Sequence, residues 1–324
     1  MQVEFARSEK PLVGVLGGTG FVGHHLLSLL VEAGYRVRVA TRRRERHRDL
    51  MVLPDVELVE ADIHHPPALR QVLSGCHAVI NLTGILNEHR PGDFRQVHVE
   101  LPRKILQACE DLQINRLLHM SALNAAPRGP SEYLRSKGEG EKLVHAIEDI
   151  AVTSFRPAVI FGPGDHFFQR FATLLRMAPV FFFLPCPRVR LAPVYVGDVA
   201  AAMVATLDQR ECYGQSYELC GPHVYTLEQL VTYTANTLKL PRVIVGMGDG
   251  VARLQARILQ HLPGKAFSLD NLLTLQTDCT CHGGFPALFA HEALAVEAVV
   301  PAYLLNRSQR GRLDLYRHHA HHEY

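Results

Sequence analysis

The sequence predicts an α/β protein: a doubly wound parallel sheet followed by a smaller, mainly helical C-terminal lobe. Three observations predict it. Short β-branched runs alternate with helical patterns through the first half of the chain. Four glycines fall within seven residues where the first run gives way to the first helical pattern. After Gly162 the alternation loosens into an aromatic, proline-punctuated stretch. Alternation at this spacing builds right-handed crossovers and a sheet buried on both faces.

The first strand is read at "PLVGVL" (11–16) and the first helix at "FVGHHLLSLLVEAGY" (21–35), ending near Gly34. Further strands are read at 36–41, 56–62, 78–84, 116–122 and 152–162, with helices at 93–112 and 131–149. "VRLAPVYVGDVAAAMVATLD" reads as a short strand entering a helix, "QSYELCGP" as a strand, and "TLEQLVTYTANTL" as a helix capped by Thr226. Residues 1–162, rejoined by 191–221, are expected to form the sheet domain. Residues 163–190 and 222–324 are expected to form a smaller lobe on the substrate side.

Composition excludes several classes. With 34 Lys and Arg against 32 Asp and Glu, net charge is only +2, so no basic field argues for nucleic acid. The run "VFFFL" (180–184) stops at Pro185, far short of a membrane span, and "MQVEFARSEK" lacks the apolar core of a secretory signal. The expected location is therefore cytoplasmic, or peripheral at the inner face of a membrane. Seven cysteines, an odd number mostly inside apolar segments, suggest reduced buried thiols rather than a disulfide framework. No metal site is expected. "CTCH" (279–282) has no second cysteine pair at zinc spacing, and His318, His319, His321 and His322 read as a polar tail. Phe167, Phe168, Phe171 and the "FFFL" run read either as an apolar mouth for a substrate or as core.

In "GGTGFVG" the spacing Gly17-x-x-Gly20-x-x-Gly23 sits on the first strand–helix junction, where a Rossmann-type domain receives a dinucleotide. Gly17 permits the tight turn, Gly20 lets main chain approach a pyrophosphate, and Gly23 permits close helix packing. The free N–H groups and dipole of the adjoining helix then favour phosphate. After the second strand the chain reads "ATRRRERHR", with Arg42, Arg43 and Arg44 where an NAD site usually offers a carboxylate. Guanidinium groups suit a 2′-phosphate, so NADP(H) is expected over NAD(H), the alternative being a solvated basic loop. Asp62, with Ile63, ends the third strand where a carboxylate can accept from the adenine amino group. "NLTG", with Leu82, Thr83 and Gly84, can lie against ribose and phosphates.

"YLRSK" places Tyr133 and Lys137 four apart, hence on one helical face. A nearby ammonium eases ionisation of a phenol, and such a tyrosine can exchange a proton with a carbonyl oxygen during hydride transfer. Ser121, at the end of the preceding strand, could bind the same oxygen. The alternative is an ordinary amphipathic helix surface.

With these residues and "RPAVIFGPGD" (156–165), the chain resembles an extended short-chain dehydrogenase/reductase. "HMSALNA…EYLRSKGEGEKLV", "VIFGPGDHFFQRFA" and "PVYVGDVAAA" resemble its atypical branch, which contains the NADPH-binding accessory subunit of respiratory complex I and bacterial relatives. The resemblance spans about residues 11–240 and implies cofactor contacts from Gly17, Thr19, Gly20, Phe21, Val22, Arg42, Asp62, Ile63, Thr83, Lys137, Pro157 and Val159. It implies a tightly held NADP(H), in the complex I subunit a structural ligand, and a role in a respiratory complex or quinone-related metabolism. The alternative is an active NADPH-dependent oxidoreductase or epimerase on a small carbonyl, sugar-type or quinone-like substrate. One departure stands out: "RQVHVELP" places His98 near the position where extended members carry an asparagine in a proton relay.

Overall fold

The computed structural model describes residues 10–259, 267–281, 283–289 and 292–305. The N-terminal decapeptide, apart from Lys10, together with His282 and the histidine tail, falls outside the described residues.

Seven strands form one parallel sheet: β1 (Leu12–Leu16), β2 (Arg36–Thr41), β3 (Val56–Glu60), β4 (Ala78–Asn81), β5 (Arg116–Met120), β6 (Ala151–Pro157) and, after four short strands, β11 (Ser216–Leu219). Their spatial order is β11-β6-β5-β4-β1-β2-β3, and every neighbouring pair is parallel. The order reverses at β1, the switch point where α/β sheets open a crevice for ligands.

Strand periodicity assigns alternate residues to opposite faces. On one face, Val13, Val15, Ile80 and Leu118 pack with Leu26, Leu27 and Leu30 of α1 (Phe21–Glu32). On the other, Leu16, Val79 and Leu117 pack against α2 (Pro66–Leu73) and α4 (Leu101–Asp111). The expected helix over 93–112 is broken in character. A turn of α3 (Asp93–Arg95) runs into a π-helical segment, Gln96–Glu100, before α4 begins. Next along the chain, α5 (Glu132–Val144) is N-capped by Ser131, whose side chain accepts from Leu134 N–H.

The expected strand 152–162 is also divided. β6 ends at Pro157, and the next pair, β7 (Ile160–Phe161), leaves the main sheet to join β10 (Val194–Tyr195). The switch comes after Val159, whose carbonyl accepts from Val194 N–H. Beyond it, α6 (Phe168–Met177), β8 (Phe181–Leu184) and β9 (Arg190–Leu191) belong to a second core. The chain then returns: α7 (Val196–Ala205) packs on α1, and β11 adds to the sheet edge.

β12 (Tyr225–Thr226) pairs with β9, and β13 (Val243–Gly246) with β8. α8 (Leu227–Thr237) starts at Thr226 with a reciprocal capping box to Gln229. α9 (Asp249–Leu259), α10 (Leu269–Leu275) and α11 (Val296–Leu305) complete the lobe. Of the aromatic run, Phe168 is fully buried core, Phe167 and Phe171 pack on it, and Phe181 and Phe183 lie exposed. None of the described helices is long and apolar enough to cross a membrane.

The cysteines correct the sequence reading. Cys220 and Cys281 form a disulfide, although Cys76, Cys109 and Cys212 are buried free thiols as expected. An odd count cannot reveal this pairing, because the two residues meet only through tertiary structure. Cys279 N–H donates to Arg190 and its carbonyl accepts from Ala192, and this bridge draws Cys281 onto the end of β11.

Candidate functional site

The glycine turn is built from main chain at close quarters. Gly17 has φ +80°, and a Cβ there would stand 3.0 Å from the backbone of both Leu82 and Thr83. The β4 loop therefore packs directly on the turn. A Cβ on Gly23 would fall 2.2 Å from the Gly18 carbonyl oxygen, so the helix closes against the turn itself. Gly18, which the three-glycine spacing passes over, is equally constrained: its Cβ would meet Val39 at 2.9 Å and Val15 at 3.0 Å. Gly20 is the N-cap of α1 and supplies no side-chain cap, leaving a glycine-lined helix start that suits a diphosphate. Thr19 lies in the turn. Phe21 and Val22 open the helix, with Phe21 edge-on to His25 and Val22 packed against both cores.

At the adenosine end, Arg42 and Arg43 are exposed just beyond β2, and Arg43 N–H donates to Thr41 Oγ1. Asp62 is exposed and accepts from His64 N–H at 3.0 Å, with Ile63 between them packed toward the core. The His64 imidazole is held below its ordinary range by burial, then by Lys104 and Arg42 against the opposing pull of Asp62. Its Nδ1 is buried without a hydrogen-bond partner among the described residues. An orphaned nitrogen beside the acidic strand end suits a polar ligand edge such as adenine's. Thr83 is tied to Asn81, whose Oδ1 accepts from both its N–H and its hydroxyl.

The α5 side is organised differently. Lys137 is 5 % exposed and donates from Nζ to the Met120 carbonyl at 2.9 Å. Burial pulls its amine down to about 8, against the opposing effect of Glu141. A Cβ on Gly84 would lie 3.2 Å from Lys137 Nζ and 3.7 Å from His98 Nε2. Gly84 thus leaves open the space beside the two groups. Tyr133 packs edge-on to Phe94 and His98. Burial, with a smaller effect of Cys279, raises its phenol above the ordinary value, opposite to the ionisation expected from a neighbouring lysine. Desolvation of a phenolate here outweighs any help from Nζ, whose hydrogen bond goes to a carbonyl.

Ser121 departs furthest from its expected role. Its hydroxyl, 2 % exposed, donates to Glu141 Oε2 at 2.5 Å. Glu141 lies one turn beyond Lys137 on α5 and also accepts from Arg156 Nε at 2.8 Å and Ser216 Oγ at 2.9 Å. Burial raises its carboxyl, but the Arg156 and Ser121 hydrogen bonds more than offset this and hold it below the ordinary range. The structure thus brings Tyr133 and Lys137 together on one helix, while Ser121 faces a separate buried network.

His98 has a defined tautomer. Ser136 donates its hydroxyl proton to the Tyr133 carbonyl, so it must accept from His98 Nδ1–H; Nε2 then accepts from Ile85 N–H at 3.1 Å. Burial, then Lys137 and His119, lower this imidazole to about 2, so it is a neutral link. Gly140 makes room for it: a Cβ there would stand 1.9 Å from the His98 carbonyl. Two positioning residues escape a reading of the sequence. Asp270 of α10 accepts from Glu132 N–H and Tyr133 N–H, capping α5 from the second lobe. Asp165 holds the loop after β7, accepting from Gly162 N–H and Tyr303, while His25 Nε2 donates to Pro163. A Cβ built on Gly164 of this loop would lie 3.6 Å from the Phe21 ring. Pro157 and Val159, buried and half-buried, flank the point where the chain leaves the main sheet.

Residues 13–220 match the NAD dependent epimerase/dehydratase family. The chain belongs to this family. It is an NAD(P)-binding, Rossmann-type protein of the extended short-chain dehydrogenase/reductase class. NADH dehydrogenase (ubiquinone) 1 alpha subcomplex subunit 9, mitochondrial, of Mus musculus is 34% identical over 229 residues, covering 68% of this chain and 59% of that protein. Less than two thirds of the mouse relative is therefore represented. The ceramide reductase of Caulobacter vibrioides is 32% identical over 203 residues, 62% of each chain. Among solved structures, NADPH-dependent quinone oxidoreductase QOR2 from Escherichia coli, complexed with NADPH, superposes with a TM-score of 0.73. It is 17% identical and covers 91% of this chain and 100% of that one, a likeness of fold.

Proposed function

We propose that this chain is an NADP(H)-binding protein that retains its nucleotide as a tightly held, structural ligand, akin to the accessory-subunit branch of the family. Its partner would be a respiratory assembly or a quinone-related pathway. The observation that carries the reading is Ser121, whose hydroxyl is committed to Glu141 at 2.5 Å and so is withdrawn from the Tyr133/Lys137 pair. The preference for NADP(H) is supported by Arg42 and Arg43, exposed at the end of β2 where a 2′-phosphate would lie.

Two measurements test this. Native mass spectrometry of the purified protein is expected to show copurified NADP(H); a protein that neither carries nor binds a nicotinamide dinucleotide contradicts the proposal. Arg42→Glu is expected to weaken NADPH binding about tenfold, roughly 1.4 kcal/mol, while leaving NADH binding nearly unchanged.

A second reading, an active carbonyl reductase, is favoured by Tyr133 and Lys137 sharing a face of α5 beside the space at Gly84, and by the ceramide reductase relative. A bound nicotinamide would supply hydride. Tyr133, whose raised phenol keeps its proton through the neutral range, would donate that proton to a carbonyl oxygen, with Lys137 and His98 behind it. Tyr133→Phe separates the readings: turnover that falls by orders of magnitude with NADPH binding intact supports the enzyme, and no turnover in the parent protein supports the binder.

A further inference from the structure

One cluster of chemically capable side chains lies outside the α5 network and touches the glycine turn only through the Gly20 carbonyl. His24 lies on the first turn of α1. His47 and Asp49 come from a 3-10 segment, Arg44–Val52, where His47 breaks the helix with φ −124° and ψ 42°. One ligand atom from each of the three falls within 4.8 Å of the others, and His24 Nε2 stands 3.0 Å from Asp49 Oδ2.

The His24 ring is held for this purpose. Its Nδ1–H donates to the Gly20 carbonyl oxygen at 2.9 Å, and in the metal-free protein Nε2–H faces Asp49 Oδ2 at 3.0 Å. A metal ion would take the place of the Nε2 proton between ring and carboxylate, with the His47 imidazole alongside. Three side chains able to ligate a metal thus lie within 4.8 Å of one another. An imidazole whose remote nitrogen is fixed by a carbonyl is the usual outer support of a metal-binding histidine.

We propose that His24, His47 and Asp49 bind a divalent transition-metal ion of the zinc class. Two imidazoles and one carboxylate suit zinc, nickel or copper, and are poor in the oxygen donors that calcium and magnesium require. Zinc–ligand bonds of about 2.0–2.2 Å put tetrahedral donors about 3.3 Å apart, so the His24–Asp49 pair is already at ligand spacing and His47 closes by side-chain rotation. The fourth position is left for water or a ligand.

The site joins the segment just beyond Arg42 and Arg43 to the first turn of the helix at the glycine turn. A metal ion there pins the adenosine-side arginines against α1 and so couples metal binding to nucleotide binding. This coupling rests on the proposed NADP(H) site; the metal site itself does not.

The test uses the full chain with His318, His319, His321 and His322 replaced by alanine, so that the tail cannot compete. Cobalt(II) is titrated and the visible ligand-field band recorded, then displaced with zinc. One equivalent is expected to bind, and His47→Ala and Asp49→Ala are each expected to weaken binding at least tenfold with unchanged melting of the metal-free protein. No stoichiometric band in the parent chain, or variants that bind cobalt as the parent does, overturns the site. In a second arm, saturating zinc is expected to tighten NADPH binding several-fold in the parent and not in His47→Ala. Unaltered NADPH affinity with the cobalt band intact overturns the coupling. Absence of any NADPH binding with the band intact overturns the nucleotide reading and leaves the metal site standing.

Discussion

The glycine turn and the inner face of α5 meet near Lys137, yet they are constructed on opposite lines. The turn is main chain against main chain: Gly17 on Leu82 and Thr83, Gly23 on Gly18. It works by removing side chains. The α5 face works by burying polar ones, Lys137, Glu141 and Ser136, and satisfying them through His98, Ser121, Arg156 and Met120. A backbone cradle is insensitive to pH and intolerant of a single methyl group. A buried polar layer is the reverse, tolerant of modest change in shape and responsive to protons.

The largest expected effect tests the methyl-group half of this contrast. Gly23→Ala places a Cβ 2.2 Å from the Gly18 carbonyl oxygen, and backbone on both sides cannot retreat. A loss of about 3 kcal/mol or more is expected in urea unfolding. Gly248→Ala, with nothing within 4 Å of its Cβ, is expected to change stability by less than about 0.5 kcal/mol. Equal behaviour of the two variants would break the contrast.

Next in size is the link between the lobes. Cys220 and Cys281 are 61 residues apart, and closing a loop of that size restricts the unfolded chain. Cys220→Ser is expected to cost about 2–3 kcal/mol under oxidising conditions and little in reductant, where the parent chain loses the bridge as well. Glu141→Gln keeps the side-chain shape but removes the charge facing Arg156 and leaves an amide where Ser121 must donate. About 2 kcal/mol is expected from thermal melts, without displacement of bound nucleotide.

Most specific to the α5 face is a pH dependence. His98 is held near 2 in the folded protein against an ordinary 6.5, and His119 near 3. Between those values the unfolded chain binds more protons than the folded one. The stability from these imidazoles is therefore complete above about pH 6.5 and lost as pH falls toward their folded values. Each contributes a slope of about 1.4 kcal/mol per pH unit. His98→Asn is expected to remove one such slope between about pH 3 and 6, as read from urea midpoints, and an unchanged slope would show that His98 is not a buried neutral group.

What could be foreseen from the sequence divides along the same line. Gly17, Gly20 and Gly23 announce themselves by spacing, because a main-chain turn needs a local pattern. Tyr133 and Lys137 likewise share a helical face by simple periodicity. Glu141 sits one turn further along that face, but its burial depends on Arg156 and Ser216, which arrive from β6 and β11. Ser121 can be placed at the end of β5 from its strand, yet the direction of its hydroxyl is decided by Glu141 on a different element. Gly140 and Asp270 depend wholly on the groups packed across from them. The Cys220–Cys281 bridge is hidden for the same reason: parity counts thiols, whereas pairing depends on where β11 ends.

The π-helical segment Gln96–Glu100 carries one residue more than the flanking α-helical turns need. Such a surplus can be excised without rotating the turns downstream, since the helix would relax to ordinary pitch with Ile105 and Cys109 still facing inward. A chain shortened here by removal of His98 would keep its architecture but lose the imidazole that accepts from Ile85 N–H.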